Sequence, residues 1–273
     1  MKKIDWHAGF VSAMKLELID NESDLVFLEE HPIANRAQRI DLLVIKNENS
    51  ATILNPIGAM FSKFNICEYK SPDQSLTYGD FYKVLAYTGL YLNETQSKTH
   101  YSSGDFTMTF VREPHPRDLF KRLLNDGIYI TMTSPGIYRL SNNLPFATQV
   151  VVTKEIPSAQ RSWLTCLTKQ GKLYNLEFII SNTRTLDENH KPYADNIMDA
   201  FASANREFIN DQIKEPTMCN AVNELFADEI KEMKMLVANK DALIADQKSQ
   251  IADKDALIAK LTAELEKYTK QNE

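Results

Sequence analysis

The fold of this chain is decided by the stretch NICEYK at residues 65–70, which stops at the turn signal SPD at residues 71–73. The run predicts a short strand. Side chains alternate along a strand, so Glu68 and Lys70 point to one face while Tyr69 points to the other. A carboxylate and an ammonium group two residues apart can therefore share one site.

A second predicted strand lies upstream, where residues 39–46 read RIDLLVIK. Its continuous apolar run suggests burial on both faces. Asp41 sits near the start of this run, where a charge is costly unless it has a partner or a metal ion. If the two strands are neighbours in a sheet, Asp41 and Glu68 come together with Lys70 beside them.

The surrounding elements follow the order helix, three strands, helix, strand. Asp5 is a candidate N-cap for the first helix. The predicted elements are a helix at 6–19, strands at 24–29, 39–46 and 65–70, a helix at 77–92 and a strand at 106–111. This order predicts an α/β architecture in which helices pack on a mixed sheet, and we assign it to a core domain over residues 1–115.

The rest of the chain divides into three parts. Residues 116–195 are predicted to be a β-rich extension of the same domain, with a short helix at 118–125 followed by strand-like runs. Residues 196–226 are interpreted as a helical connector. Residues 227–273 contain no Gly or Pro and form a tail of different character.

The tail carries a heptad pattern. Apolar residues recur at seven-residue intervals and can fill the a positions of a coiled coil: Ile230, Val237, Ile244, Ile251, Ile258 and Leu265. The matching d positions are mostly polar, so the apolar seam is weak. The pattern favours a homo-oligomer formed through residues 230–265. The alternative is a single solvated helix held by charge pairs four residues apart.

The charge and composition of the chain exclude some classes of protein. The net charge of −6 argues against strong non-specific binding to duplex nucleic acid, since such binders usually carry a basic surface. No stretch approaches the ~20 apolar residues that cross a bilayer, so no membrane partner is expected. Three widely spaced cysteines, Cys67, Cys166 and Cys219, fit core positions in a cytoplasmic protein.

The site residues and the element order together resemble the PD-(D/E)xK nuclease superfamily. Ile40-Asp41 stands in place of the Pro-Asp of that pattern, and Glu68-Tyr69-Lys70 supplies the second half. The chain also resembles an uncharacterised bacterial group loosely similar to Rpn-type, transposase-associated nucleases. The resemblance covers residues 5–115 and implies a restriction-endonuclease-like core.

The resemblance implies a Mg²⁺-dependent phosphodiester hydrolase, with Mn²⁺ as a possible substitute. Asp41 and Glu68 would bind the metal and Lys70 would activate or orient the attacking water. Two carboxylates suit Mg²⁺, which typically keeps several waters. Glu17 on the first helix is a further candidate catalytic and metal-binding residue, and the alternative for Glu17 is a glutamate that faces solvent.

The sequence therefore supports two alternative functions. The first is a metal-dependent DNA endonuclease, linked to mobile DNA or defence, whose tail pairs two subunits. The second is a catalytically silent nuclease fold that acts as a scaffold or binding protein through its coiled-coil tail. The net negative charge favours the second, and the joint presence of Asp41, Glu68 and Lys70 favours the first. The sequence contains no P-loop and no HExxH motif that would indicate another chemistry.

Overall fold

A computed structural model describes residues 4–33, 39–47, 51–96, 99–160 and 162–214, together with six single positions between 235 and 254. The chain divides into two compact units, residues 1–208 and 209–273. The first unit contains the sheet and all the predicted site residues. The predicted coiled coil at 230–265 lies outside the described residues, apart from the six single positions, which are helical.

The described residues form an α/β structure, as the sequence predicts. The helices are α1 (Trp6–Glu17), α2 (Tyr78–Thr95), α3 (Arg117–Asn125), α4 (Leu173–Thr183), α5 (Lys191–Ala204) and α6 (Arg206–Lys214). The strands are β1 (Leu25–Pro32), β2 (Arg39–Lys46), β3 (Phe64–Lys70), β4 (Phe106–Arg112), β5 (Tyr129–Ser134), β6 (Ile137–Ser141) and β7 (Ala147–Val152).

The strands join into one mixed sheet in the order β1-β2-β3-β4-β7-β6-β5. Strands β3, β4 and β7 are parallel to one another, and the remaining neighbours are antiparallel. The strands of the predicted extension therefore continue the sheet of the first 115 residues. The centre of the sheet consists of β3 and β4, whose residues are almost all buried.

Local sequence signals set the helix starts. Asp5 caps α1, because its Oδ1 accepts a hydrogen bond from the Ala8 N–H at 3.0 Å. Thr77 and Asp80 form a capping box at the start of α2. This box fixes the entry to α2 directly after β3, where the residues of the candidate site are located.

One helix was not predicted. Residues 173–183, which the sequence analysis assigned to the β-rich extension, form α4. Leu176, Ile179 and Ile180 are buried at helical spacing, so one face of the segment packs inward. Ile and other β-branched residues are typical of strands, but this tertiary packing outweighs that weak preference.

No helix within the described residues is both long and apolar enough to cross a membrane. Cys67 and Cys166 are buried and form no disulfide within the described residues, in agreement with the expected core positions, while Cys219 lies outside those residues.

Candidate functional site

The pairing of β2 with β3 sets the geometry of the site. The two strands are antiparallel neighbours, and their ladder pairs Leu42 with Cys67 and Leu43 with Ile66. The ladder ends at the Leu42–Cys67 pair, so Asp41 and Glu68 each lie one residue beyond its end, and the charge of Glu68 acts on the pKa of Asp41. The two carboxylates are thus brought together where the ladder ends.

Asp41 is fixed by the backbone of β3. Its Oδ2 accepts a hydrogen bond from the Tyr69 N–H at 2.9 Å. Burial, followed by the charge of Glu68, raises the pKa of Asp41 above its usual range, although the Tyr69 N–H and nearby cationic groups oppose that rise. The carboxylate is therefore held in place in an environment where its negative charge is unfavourable without a further cation.

Glu68 is the most buried carboxylate of the site, with 3% of the residue exposed. Its Oε1 atom accepts hydrogen bonds from two ammonium groups, Lys70 Nζ at 2.9 Å and Lys83 Nζ at 2.6 Å. Buried charges are stable only when they are paired, and here one carboxylate oxygen is shared between two lysines. The same oxygen is where a metal ion would compete with these lysines.

Lys70 connects the end of β3 to the start of α2. Its Nζ lies 2.9 Å from Asp80 Oδ1 as well as 2.9 Å from Glu68 Oε1. Burial alone would lower the pKa of Lys70, but the hydrogen bonds and charges of Asp80 and Glu68 outweigh it and raise the pKa above its ordinary value of 10.5. Lys70 is therefore a cation at neutral pH.

Helix α1 contacts β3 through Tyr69, whose side chain points to the face opposite Glu68 and Lys70. The ring of Phe10 stacks on Tyr69 with centroids 4.8 Å apart and planes 6° from parallel. One turn earlier, the Nε2 atom of His7 is buried and has no hydrogen-bond partner. His7 also acts electrostatically to lower the pKa of Asp41, so a polar atom without a partner borders this carboxylate.

Glu17 makes its hydrogen bonds elsewhere. Its Oε1 accepts from the Leu164 N–H and its Oε2 from Asn55 Nδ2, each at 3.2 Å. Burial raises the pKa of Glu17, partly offset by these donors. His7 and Glu17 are ten helical residues apart, which corresponds to roughly 15 Å along the axis. The structure thus brings Asp41, Glu68 and Lys70 together and gives Glu17 a different set of neighbours.

The carboxylates considered as metal ligands here are those of Asp41 and Glu68, since Asp80 is paired with Lys70 and caps α2. Within the described ranges, no group of three or more His, Cys, Asp or Glu side chains is arranged to hold a metal ion. Two carboxylates match the preference of Mg²⁺ for hard oxygen ligands, since this ion usually takes only one or two from the protein. The site would not provide the closed protein shell of a structural zinc ion.

Two residues of the site were not predicted from the sequence as charge partners. Neither Asp80 nor Lys83 is among the site residues that the sequence predicts. The capping signal Thr77-Tyr78-Gly79-Asp80 is readable in the sequence and marks the start of α2. It does not reveal that Asp80 also binds Lys70, because that contact depends on how α2 packs against β3.

Comparisons with known proteins add no relative to this description. No protein-family model matches the chain, and neither a curated protein nor a solved structure matches it.

Proposed function

We propose that this protein is a Mg²⁺-dependent phosphodiester hydrolase of the PD-(D/E)xK type, acting on DNA as an endonuclease in the context of mobile DNA or defence. The observation that carries the proposal is the end of the β2–β3 ladder, where Asp41 binds the Tyr69 N–H, feels the charge of Glu68, and Lys70 is bound to the Glu68 carboxylate. The order of helix, three strands, helix and strand through α1, β1–β3, α2 and β4 agrees with a restriction-endonuclease-like core.

Asp41 and Glu68 would hold the metal ion. Two neighbouring, largely buried carboxylates repel each other, and the raised pKa of Asp41 reports that unfavourable environment. Both carboxylates would serve as hard oxygen ligands of a bound divalent cation, whose charge would offset their repulsion. When bound, Mg²⁺ (or Mn²⁺) supplies charge neutralisation at the phosphate and lowers the pKa of a coordinated water.

Lys70 would orient the attacking water and the phosphate. Because its pKa is raised, Lys70 is protonated at neutral pH and acts as a hydrogen-bond donor. Asp80 holds the ammonium group from the α2 side and limits its freedom to move. A fixed cation beside the reacting phosphate stabilises the negative charge that builds up during hydrolysis.

We leave Glu17 out of the proposed metal ligands. Its two carboxylate oxygens accept hydrogen bonds from Leu164 and Asn55. A carboxylate used in this way satisfies donors that would otherwise be unpaired in a largely buried place, which is a structural role.

One observation favours the second function, a catalytically silent scaffold. Glu68 is already paired with both Lys70 and Lys83, so its charge is compensated without a metal ion. A structural ion-pair network of this kind would need no cation and no substrate. In that case the working part of the protein would be the predicted oligomerisation segment at 230–265.

The decisive experiment is cleavage of mixed DNA and RNA substrates in the presence of Mg²⁺ or Mn²⁺. Wild type is compared with Lys70→Ala and with the control Lys191→Ala, whose ammonium group forms an exposed ion pair with Glu188. Cleavage by wild type and the control, together with its loss in Lys70→Ala, would support the hydrolase. Cleavage that survives in all three proteins would place the activity outside this site. No cleavage together with metal-independent self-association would favour the scaffold.

A further inference from the structure

A second cleft lies next to the candidate site, at the start of α3. It has a volume of about 430 Å³ and is named here the α3 cleft. Its lining combines the end of β4, the N-terminus of α3 and the loop that leads into α2: Arg112, His115, Arg117, Arg122, Asp118 and Thr77. Three arginines against one carboxylate make this cleft positively charged, although the chain as a whole has a net charge of −6.

Arg112 is the unusual residue of the cleft. It is 8% exposed, and its Nε atom is buried without a hydrogen-bond partner. A guanidinium group offers five N–H donors in a fixed fork and has no acceptor of its own. Burying such a donor unpaired costs free energy, so the unpartnered Nε of a residue that lines the cleft indicates a missing acceptor. Burial also lowers the pKa of Arg112, which an anion in the cleft would reverse.

The N-terminus of α3 provides further donors. Its N-cap position is Pro116, which has no side chain able to cap the first amides. The Arg117 N–H donates to the His115 carbonyl at 3.0 Å, and the positive end of the helix favours an anion at the amides that follow it. The guanidinium of Arg122 stacks over the Tyr78 ring at 4.1 Å, which holds this third arginine at the rim.

We infer that the α3 cleft is a phosphate-binding site in which Arg112 supplies the buried donor fork and the α3 N-terminus supplies backbone amides. Arginine binds phosphate through paired N–H donors, and helix N-termini are common phosphate sites. Exposed Arg117 completes the ligand set at the mouth of the cleft. The ligand is a phosphate group, whether free or part of a polynucleotide.

The position of the cleft indicates which phosphate it binds. Arg112 on β4 lies opposite Lys70 on β3 in the parallel ladder. Thr77 lines the cleft and also caps α2, the helix that carries Asp80. Adjacent strands are about 4.8 Å apart, so a phosphate in the cleft would be a near neighbour of one at Lys70. We assign the cleft to a second phosphate of the nucleic-acid strand that would be cleaved at Lys70. This assignment rests on the proposed function, whereas the phosphate-binding site itself does not.

The test measures phosphate binding directly, without cleavage. The full chain is titrated by calorimetry, at fixed ionic strength and without divalent cations, with inorganic phosphate and then with a short single-stranded oligonucleotide. Arg117→Gln is compared with Lys121→Gln, which removes an exposed positive charge from the same helix outside the cleft. Arg112→Lys keeps the buried charge but removes the fork, and its folding is checked by circular dichroism.

Saturable binding that weakens at least fivefold in Arg117→Gln and Arg112→Lys, but not in Lys121→Gln, would support the site. No saturable binding by wild type, or equal losses in Arg117→Gln and Lys121→Gln, would overturn it. Phosphate binding without tighter oligonucleotide binding would support a free phosphate and overturn the assignment to the strand. Wild type that binds phosphate in this way but cleaves no nucleic acid would sink the hydrolase and leave the cleft standing, so the two failures give different results.

Discussion

The Nζ atom of Lys83 lies 2.6 Å from Oε1 of Glu68, closer than the 2.9 Å of Lys70 to the same oxygen. Lys83 comes from α2, and its side chain is about three times as exposed as that of Lys70, at 38% against 12%. The two lysines therefore differ in role. Lys70 is held between Glu68 and Asp80, whereas Lys83 reaches Glu68 from the solvent side and can move away.

We predict that Lys83→Met raises the affinity for Mg²⁺ by about tenfold. A positive charge beside Glu68 opposes a divalent cation at the same carboxylate, and a tenfold change corresponds to about 1.4 kcal/mol. The measurement is calorimetric titration of Mg²⁺ into both proteins. The control is Lys121→Met, which should bind Mg²⁺ as wild type does. A weaker affinity in Lys83→Met would show that Lys83 helps to build the metal site.

Asp41→Asn should increase the free energy of unfolding at pH 7 in the absence of metal. Asn can still accept the Tyr69 N–H bond, and it removes a charge that burial and Glu68 make unfavourable. The pKa of Asp41 is higher in the folded protein than in the unfolded chain. The free energy of unfolding therefore falls as the pH rises from the unfolded pKa through the folded pKa, because ionised Asp41 is less favourable in the folded protein. The gain from Asn should therefore disappear in acid, where Asp41 is protonated in both states.

Urea denaturation at pH 7 and below pH 4, with and without Mg²⁺, checks this prediction. A ligand that binds only the folded state adds to stability by mass action, so Mg²⁺ should stabilise wild type more than Asp41→Asn. If Mg²⁺ stabilises both proteins equally, Asp41 is not one of its ligands.

Glu17→Ala should lower stability and leave Mg²⁺ affinity unchanged. The substitution leaves the Leu164 N–H and the Asn55 amide without their acceptor in a largely buried place. Such unsatisfied donors cost about 1–3 kcal/mol. Thermal denaturation measures the stability, and calorimetric titration measures the affinity for Mg²⁺. A large loss of Mg²⁺ affinity in a folded variant would restore Glu17 as a metal ligand.

The sequence predicted the strands of the site well, because their signals are local. The bounds of β2 agree with the predicted 39–46, since a continuous apolar run with one charge near its start is typical of a buried strand. The contacts of Glu17 could not be predicted, because Leu164 lies 147 residues away in the sequence. The burial of Arg112 and its place in the α3 cleft could not be predicted either, because they depend on where α3 lies relative to the end of β4.

The heptad pattern of the tail remains a prediction, and it can be tested at two described positions. Ile244 and Ile251 both belong to the proposed a series and are 49% and 59% exposed in the single chain. Exposed isoleucines at seven-residue spacing favour burial against a second helix. Ile244→Asn combined with Ile251→Asn should therefore reduce the mass measured by sedimentation equilibrium. An unchanged monomeric mass in wild type and variant would favour the single solvated helix.

Asp80→Asn should destabilise the protein at neutral pH by about 0.5–1 kcal/mol, because the charge at N3 of the capping box and the ion pair with Lys70 are lost while Asn can still accept the Thr77 N–H. Asp80 accepts the Thr77 N–H at 2.8 Å and pairs with Lys70. Burial would raise the pKa of Asp80, but the bonds from Lys70 and Thr77 outweigh it and lower the pKa. The stability that ionised Asp80 contributes is therefore present above its unfolded pKa and is lost as the pH falls through its folded pKa. Wild type and variant should converge in strong acid.

Urea denaturation across this pH range tests the convergence, and cleavage assays at pH 7 test whether Asp80 also positions Lys70. If Asp80→Asn is destabilised but cleaves as wild type does, Asp80 serves only as a cap.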